Sequence, residues 1–289
     1  MNDKQGILYL CATPIGNLRD ITARVVEILS EVDLIAAEDT RNSIKLLNHF
    51  DIKTPMTSYH EYNKYDKADE LVEKLLKGKN IALITDAGTP GISDPGEVLV
   101  KKCHECGVRV TSLPGACALI TALTMSGLST RRFVFEAFLP YDRKERKEIL
   151  SELENDTRTI IIYEAPHHLK KTLKDLEEAL GNRNISLCRE LTKQFEEVKR
   201  MTIREALDFY EGNEPRGEYV LCIEGRNKQQ IKQETIDNWL TLSLEEHMEY
   251  YLKQGIDKKE AMKRVAGDRG LSKRDVYNEL VKNEKETSN

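Results

Sequence analysis

A chain of 289 residues, 39% hydrophobic and 32% charged, is long enough for about two packed domains and has the composition of a water-exposed globular protein. Its formal net charge of −5 argues against indiscriminate coating of nucleic acid but leaves room for a local basic face, and no run approaches the ~18 consecutive apolar residues of a membrane span. The chain opens on a strand-like run instead of a basic, apolar leader, and its six cysteines form no disulfide-like framework, so a cytoplasmic protein with no membrane contact is expected.

In chain order, Ile7 to Ala12 reads as a strand ending at Thr13-Pro14-Ile15-Gly16-Asn17. Val25, Val26, Leu29 and Val32 then recur at helical spacing behind Asp20 and Thr22, either of which could cap the helix. The run Leu34 to Ala37 stops at Glu38-Asp39-Thr40-Arg41, and a helix follows through Leu46 and Leu47. A strand around Met56 to His60 and a helix from about Asp66 to Lys77, closed by Gly78, lead to the apolar run Ile81 to Ile84. Behind that run stands Thr85-Asp86-Ala87-Gly88-Thr89-Pro90-Gly91-Ile92-Ser93-Asp94-Pro95-Gly96. Glycines admit unusual backbone angles and prolines hold them, which suits backbone pressed against a ligand at a strand's carboxyl end. A ligand-free strand-to-helix turn would have the same composition.

Helix Val98 to Cys106, strand Val108 to Leu113 and a turn at Pro114-Gly115-Ala116-Cys117 into an apolar helix ending near Ser126 complete a mostly parallel, helix-covered sheet of about five strands. The first strand lacks a following G-x-G-x-x-G, and no G-x-x-x-x-G-K-S/T occurs, so neither nucleotide fingerprint is present. Cys103 and Cys106 form a C-x-x-C pair with no second pair at metal-finger spacing, which favours a structural role, and no metal site is expected.

Gly127 to Arg132 marks a boundary, giving domains over 1–128 and 129–226 and a tail over 227–289. The second unit carries the strand Phe133 to Leu139, a charged helix from about Arg143 to Glu154 and the strand Thr159 to Tyr163. A helix from about His168 to Leu180 and Ile185 to Cys188 follow, with Arg189 to Met201 as a hairpin across a cleft. A capping box opens at Thr202, and the strand Tyr219 to Glu224 closes the unit. Asn227 to Glu234 reads as a linker, followed by amphipathic helices over Lys258 to Ala266 and Ser272 to Val281. These resemble a helix-turn-helix that could meet phosphate, although short charged helices are commonly just solvated.

Five runs occur in order: Leu8 to Leu18, Ala36 to Arg41, the Thr85 to Gly96 loop, Leu113-Pro114-Gly115, and Arg189 to Lys193. Together they resemble the tetrapyrrole-methylase-like superfamily of S-adenosylmethionine-dependent enzymes, and within it the branch of 16S ribosomal RNA (cytidine 2′-O)-methyltransferases, over nearly the whole chain. The resemblance implies two α/β domains with S-adenosylmethionine in the cleft between them, a homodimer, and a cytidine in the decoding region of the small ribosomal subunit as acceptor. It puts Pro14 and Ile15 beside the cofactor, Asp86, Ala87, Gly88, Thr89 and Ile92 against its methionine and sugar, and Cys117 and Ala118 at a further contact; Tyr163, Leu191 and Tyr219 would close over the adenine. Gly88-Thr89-Pro90 replaces the Gly-Asp-Pro of many tetrapyrrole-modifying relatives, which agrees with the RNA branch.

Methyl transfer to a ribose hydroxyl is an in-line displacement that needs positioning and a proton acceptor. Glu38, Asp39, His60 and Lys193, with Glu61 and Glu190, are the candidates at strand ends. Glu38 and Asp39 could equally cap a helix, and His60 could be a hydrogen-bonded sheet-edge residue. Arg19, Arg41, Arg143 and Lys144 are the expected phosphate contacts. Two other readings stay open: a methyltransferase acting on a small tetrapyrrole-like compound, which would have little use for a basic tail, and a non-catalytic RNA-binding protein.

Overall fold

The computed structural model describes residues 5–286. The chain divides into two compact units, one built from the chain up to Glu154 with Arg158–Glu224, the other from Asn155–Thr157 with the chain from Gly225 on.

The first half of the larger unit alternates strand and helix: β1 (Ile7–Cys11), α1 (Ala23–Glu31), β2 (Leu34–Ala37), α2 (Thr40–His49), β3 (Met56–Ser58), α3 (Lys64–Leu76), β4 (Ile81–Ile84), α4 (Gly96–Glu105), β5 (Arg109–Leu113) and α5 (Ala118–Ser126). The five strands form an all-parallel sheet in the order β3-β2-β4-β1-β5. β4 is buried at every position because helices cover both of its faces, the arrangement that a short unbroken apolar run demands. Parallel pairing brings the strands' carboxyl ends to one edge, and β1 and β4 lie side by side at its centre. Cys103 is buried against this sheet, whereas Cys106 is exposed at the end of α4.

The second half contains β6 (Phe133–Phe138), α6 (Arg143–Leu153), β7 (Thr159–Glu164), α7 (Pro166–Leu180), β8 (Asn184–Arg189), β9 (Glu197–Thr202), α8 (Ile203–Glu211) and β10 (Tyr219–Ile223). Its sheet runs β6-β7-β10-β8-β9, with only β6 and β7 parallel. β8 and β9 pair antiparallel within this sheet, joined by the loop 190–196, so the expected hairpin over Arg189 to Met201 is replaced by a longer one whose first arm is the strand Asn184–Arg189. One face of the sheet is covered by α6, α7 and α8, and the other packs on α5.

The smaller unit corrects the expected linker. Asn227 to Glu234 belongs to α9 (Lys228–Leu240), capped by the Asn227 side chain accepting from the Gln229 N–H. No residue of α9 is buried, so its polar run is a solvated helical face. The unit also holds α10 (Leu244–Lys253), opened by a Ser243/Glu246 capping box, then the two expected helices α11 (Lys258–Asp268) and α12 (Lys273–Glu286). Leu244, Met248, Val265 and Val276 pack in its core.

A polar cluster lies against that core. Arg269 donates from Nε to His247 Nδ1 at 3.0 Å, which requires a neutral imidazole with its proton on Nε2, facing Asp268 at 3.3 Å. Burial, and then the Arg269 charge, hold His247 below the ordinary histidine value. A base whose folded pKa is depressed supplies stability that is present above its unfolded value, about 6.5, and lost as pH falls below that toward the depressed folded value. The chain's single tryptophan, Trp239, stacks on His247 with centroids 3.8 Å apart. The urea midpoint followed by tryptophan fluorescence should therefore fall between about pH 8 and pH 5.5. A midpoint independent of pH over that range would contradict the neutral assignment.

Candidate active site

Loops following β1, β2, β4 and β5 meet the ends of β6, β7, β8 and β10 around a cavity of about 480 Å³, within the size range of small-molecule sites. Its floor is the Gly/Pro loop behind β4. Gly88 pairs with Thr13 through reciprocal backbone bonds of 2.9 and 3.0 Å, and the Thr13 hydroxyl donates to the Thr85 carbonyl at 3.1 Å, so the first and fourth strand ends are tied together. Gly88 lies at φ +84°, and a side chain there would press on Ile15 at 3.3 Å. The loop's curvature is held by Asp94, whose carboxylate accepts from the N–H groups of Gly91, Ile92 and Gly96 at 2.7 to 3.1 Å. Thr89 fixes the next turn by donating to the Ala116 carbonyl at 3.0 Å, which links the loop to the Pro114 to Cys117 turn.

The second sheet contributes a strained loop. Glu190 and Thr192 adopt φ of +50° and +64°, and Ser93 across the cavity adopts +64°. Left-handed backbone at non-glycine residues costs about 1–3 kcal/mol each and persists only where surroundings enforce it. Here Lys193 Nζ donates to Glu190 at 3.0 Å and Glu218 at 2.7 Å, Glu190 accepts from the Glu218 N–H at 2.9 Å, and Thr192 N–H donates to Glu196 at 2.6 Å. Gly16, in the loop after β1, lies so close to Lys193, Thr192 and the Leu191 carbonyl that an added Cβ would come within 2.5 to 2.9 Å of them.

Among residues singled out from sequence, Ile15, Asp86, Ala87, Gly88, Thr89 and Ile92 line the cavity from the first sheet, with Cys117 and Ala118. Tyr163, Leu191 and Tyr219 line it from the second. Tyr163 accepts from the Leu119 N–H at 3.1 Å, and burial pushes its phenol up to about 12, so it is neutral at physiological pH. Pro14 is half-buried beside this group and is not part of the lining.

The proton-acceptor candidates separate. Glu38 lines the cavity and accepts from the Thr85 hydroxyl at 2.6 Å and the Asp86 N–H at 3.4 Å. Lys193 also lines it. Burial pulls its ammonium down, but the hydrogen bonds it donates to Glu218 and Glu190 outweigh this and leave it above the ordinary lysine value. It is a paired cation rather than a base. Asp39 caps α2 and accepts three hydrogen bonds from Arg41, two from its guanidinium and one from its backbone N–H; the guanidinium bond first, and then the backbone N–H, hold it down at about 2. His60 lies outside the cavity lining, its Nδ1 without a partner among the described residues and its ring edge-on to Tyr62 at 6.1 Å. The expected phosphate contacts also lie outside it: Arg19 on an exposed turn, Arg41 pointing to solvent at the mouth of β2, and Lys144 exposed on α6. Arg143 lines a separate cavity between α6 and α7.

Sequence reading missed Asp94, Phe138, Glu164 and Glu218, all of which line the cavity. Asp94 stood within the quoted loop. Glu164 and Glu218 were hidden because their neighbours in space come from antiparallel pairing of β7 and β8 with β10. Asp86 lies above the ordinary carboxylate range, through burial against the opposing hydrogen bond from Asn42 and with the Glu38 charge adding to the rise. No group of three or more metal-ligating side chains occurs among the described residues. No helix among them is long and apolar enough to cross a membrane.

Two α/β sheets close on one shared cavity through strand-end loops, the setting of a small-molecule site. Residues 7–207 match the family described as Tetrapyrrole (Corrin/Porphyrin) Methylases, and the chain belongs to that family. It is 49% identical to the Ribosomal RNA small subunit methyltransferase I of Halalkalibacterium halodurans, over 96% of this chain and 95% of the relative. It is 48% identical to the protein of that name from Bacillus subtilis, over 94% of this chain and 93% of the relative. Among solved structures, diphthine synthase superposes with a TM-score of 0.58 at 12% identity, covering 76% of this chain and 90% of that one. Uroporphyrin-III-C-methyltransferase from Thermus thermophilus gives 0.54 at 16%, covering 75% and 94%. At these identities the structural matches speak for the fold alone.

Proposed function

We propose that the chain methylates small-subunit ribosomal RNA, transferring the methyl of S-adenosylmethionine to the ribose 2′-hydroxyl of a cytidine in the decoding region. The observation that carries this is the cavity itself, occurring in a chain that aligns end to end with relatives named for ribosomal RNA methylation.

The lining fits the cofactor chemically. Ile15, Ile92, Leu191 and Val220 offer apolar walls, Glu38, Asp86, Asp94, Glu164 and Glu218 offer carboxylates, and Lys193, the one cationic side chain among the described lining residues, is already paired with Glu218 and with Glu190 beside the cavity. A cavity this acidic attracts a cation and repels a polyanion. Bound there, S-adenosylmethionine supplies an electrophilic methyl on a positively charged sulfur. The protein's own part is to hold the acceptor ribose in line and take its proton. Glu38 is the group we assign to that proton: it lies in the cavity, and the Thr85 hydroxyl and Asp86 N–H fix its carboxylate. Because the cavity is acidic, RNA phosphates would be held outside it, where exposed Arg41 stands in the first turn of α2 with its guanidinium oriented by Asp39. An unstacked nucleotide would have to enter alone.

The test is transfer of label from radiolabelled S-adenosylmethionine to small ribosomal subunits that lack their own ribose methylation, followed by nuclease mapping. Label confined to one decoding-region cytidine is the expected result. Label absent from RNA, with cofactor binding intact, would hand the site to a small tetrapyrrole-like acceptor.

A further inference from the structure

A second cavity of about 90 Å³ adjoins the first, sharing Phe138, Glu164 and Ala165 with it. Its walls come from the Leu139-Pro140-Tyr141 turn after β6 and from His168 and Thr172 on α7. Tyr141 is 80% exposed and meets the His168 ring edge-on, with centroids 5.1 Å apart at 67°. An exposed aromatic ring that covers no core offers a flat face to solvent at the mouth of a polar pocket.

Beneath it lie two buried charges, Glu164 at 6% and Arg146 at 8% exposure, joined by the Thr172 hydroxyl. That hydroxyl donates to Glu164 Oε2 and accepts from Arg146 Nη2 at 2.8 Å. Arg146 is itself oriented by Asp175 at 2.6 Å, and Glu164 Oε1 accepts from the Ala165 N–H at 2.8 Å. The Glu164 carboxylate is thus rigidly held, and among the described residues each oxygen accepts one hydrogen bond, which leaves capacity for another donor. A fixed carboxylate beneath a ring suits a planar heterocycle bearing an exocyclic amine. Cytosine presents an amino donor at this edge, whereas uracil presents a carbonyl that a carboxylate repels.

Resting on the proposed RNA reaction, we infer that this adjoining cavity is the nucleobase subsite. It takes the unstacked base of the acceptor nucleotide, an aminopyrimidine, stacked on Tyr141 and beside His168 with its amine donated to Glu164. The arrangement answers a need of the chemistry, because a ribose cannot enter the main cavity while its base stays in a helical stack.

The experiment measures kcat and KM for methylation of small ribosomal subunits carrying cytidine or uridine at the acceptor position, with cofactor affinity measured separately. Loss of one base-stacking platform, about 1–3 kcal/mol, should make Tyr141→Ala lower kcat/KM for the cytidine substrate about 5- to 150-fold. Its S-adenosylmethionine affinity should not change, and Tyr141→Phe, which keeps the ring, should recover most of the loss. Glu164→Gln should narrow the preference for cytidine over uridine. Wild-type kcat/KM in Tyr141→Ala would overturn the subsite, as would undiminished discrimination in a folded Glu164→Gln. Wild-type protein that labels no RNA would instead refute the reaction on which the subsite rests, and the two failures are read from different arms.

Discussion

Thr89→Arg is expected to lower S-adenosylmethionine affinity by about 100-fold or more and to abolish methyl transfer with it. The Thr89 side chain forms part of the cavity wall and donates to the Ala116 carbonyl at 3.0 Å. Arginine removes that link between two ligand-facing loops and drives a long cation into space that an adenosyl or methionyl group would occupy. A cofactor that is itself positively charged meets both exclusion and repulsion, and a loss of about 3 kcal/mol corresponds to that factor. The backbone at Thr89 is not left-handed, so the fold should persist. Calorimetric titration with unchanged far-UV dichroism checks this, and wild-type affinity in a folded variant would place the cofactor elsewhere.

Glu38→Gln should leave cofactor affinity within a few-fold while cutting kcat by about 10²- to 10⁴-fold, the range typical of a removed general base. Glutamine retains an oxygen for the Thr85 hydroxyl, now at 2.6 Å from Glu38, and so preserves the local geometry while removing the proton acceptor. Single-turnover rates at saturating RNA separate the chemical step from binding. An undiminished rate would transfer the role to another acid of the cavity, with Asp86 next to be replaced.

Much of the fold was legible because the parallel sheet is built from local signals. β1, β2 and β4 are short apolar runs followed within a few residues by Pro or Asp, and α1 and α2 carry side-chain caps from Thr22 and Asp39. The smaller unit shows where such signals mislead. Asn227 to Glu234 is polar apart from Ile231, which resembles a linker, but it contains no glycine or proline after Asn227 and its cap is satisfied, so it continues as helix. The Ser243/Glu246 capping box that opens α10 was legible and passed over.

In the cavity, residues on parallel strand ends were readable as a group because parallel topology sends all carboxyl ends to one edge. Glu164 and Glu218 could not be found this way: β10 runs antiparallel to β7 and β8, so the start of one strand meets the ends of two others. The same non-local pairing explains Lys193, which sequence presents as a free base candidate and the fold neutralises with Glu190 and with Glu218, 25 residues away. His60 illustrates the opposite case. It lies two residues beyond β3, the sheet's edge strand, and that strand order separates it from the central β1–β4 pair around which the cavity forms.

The most direct measurement is mass spectrometry of nucleosides released from small-subunit RNA after reaction with S-adenosylmethionine carrying a trideuteriomethyl group. A cytidine whose ribose fragment bears the labelled methyl while its base fragment does not is the predicted result. A labelled base, or label on another nucleoside, would contradict the assignment of a ribose 2′-hydroxyl as the group that enters this cavity.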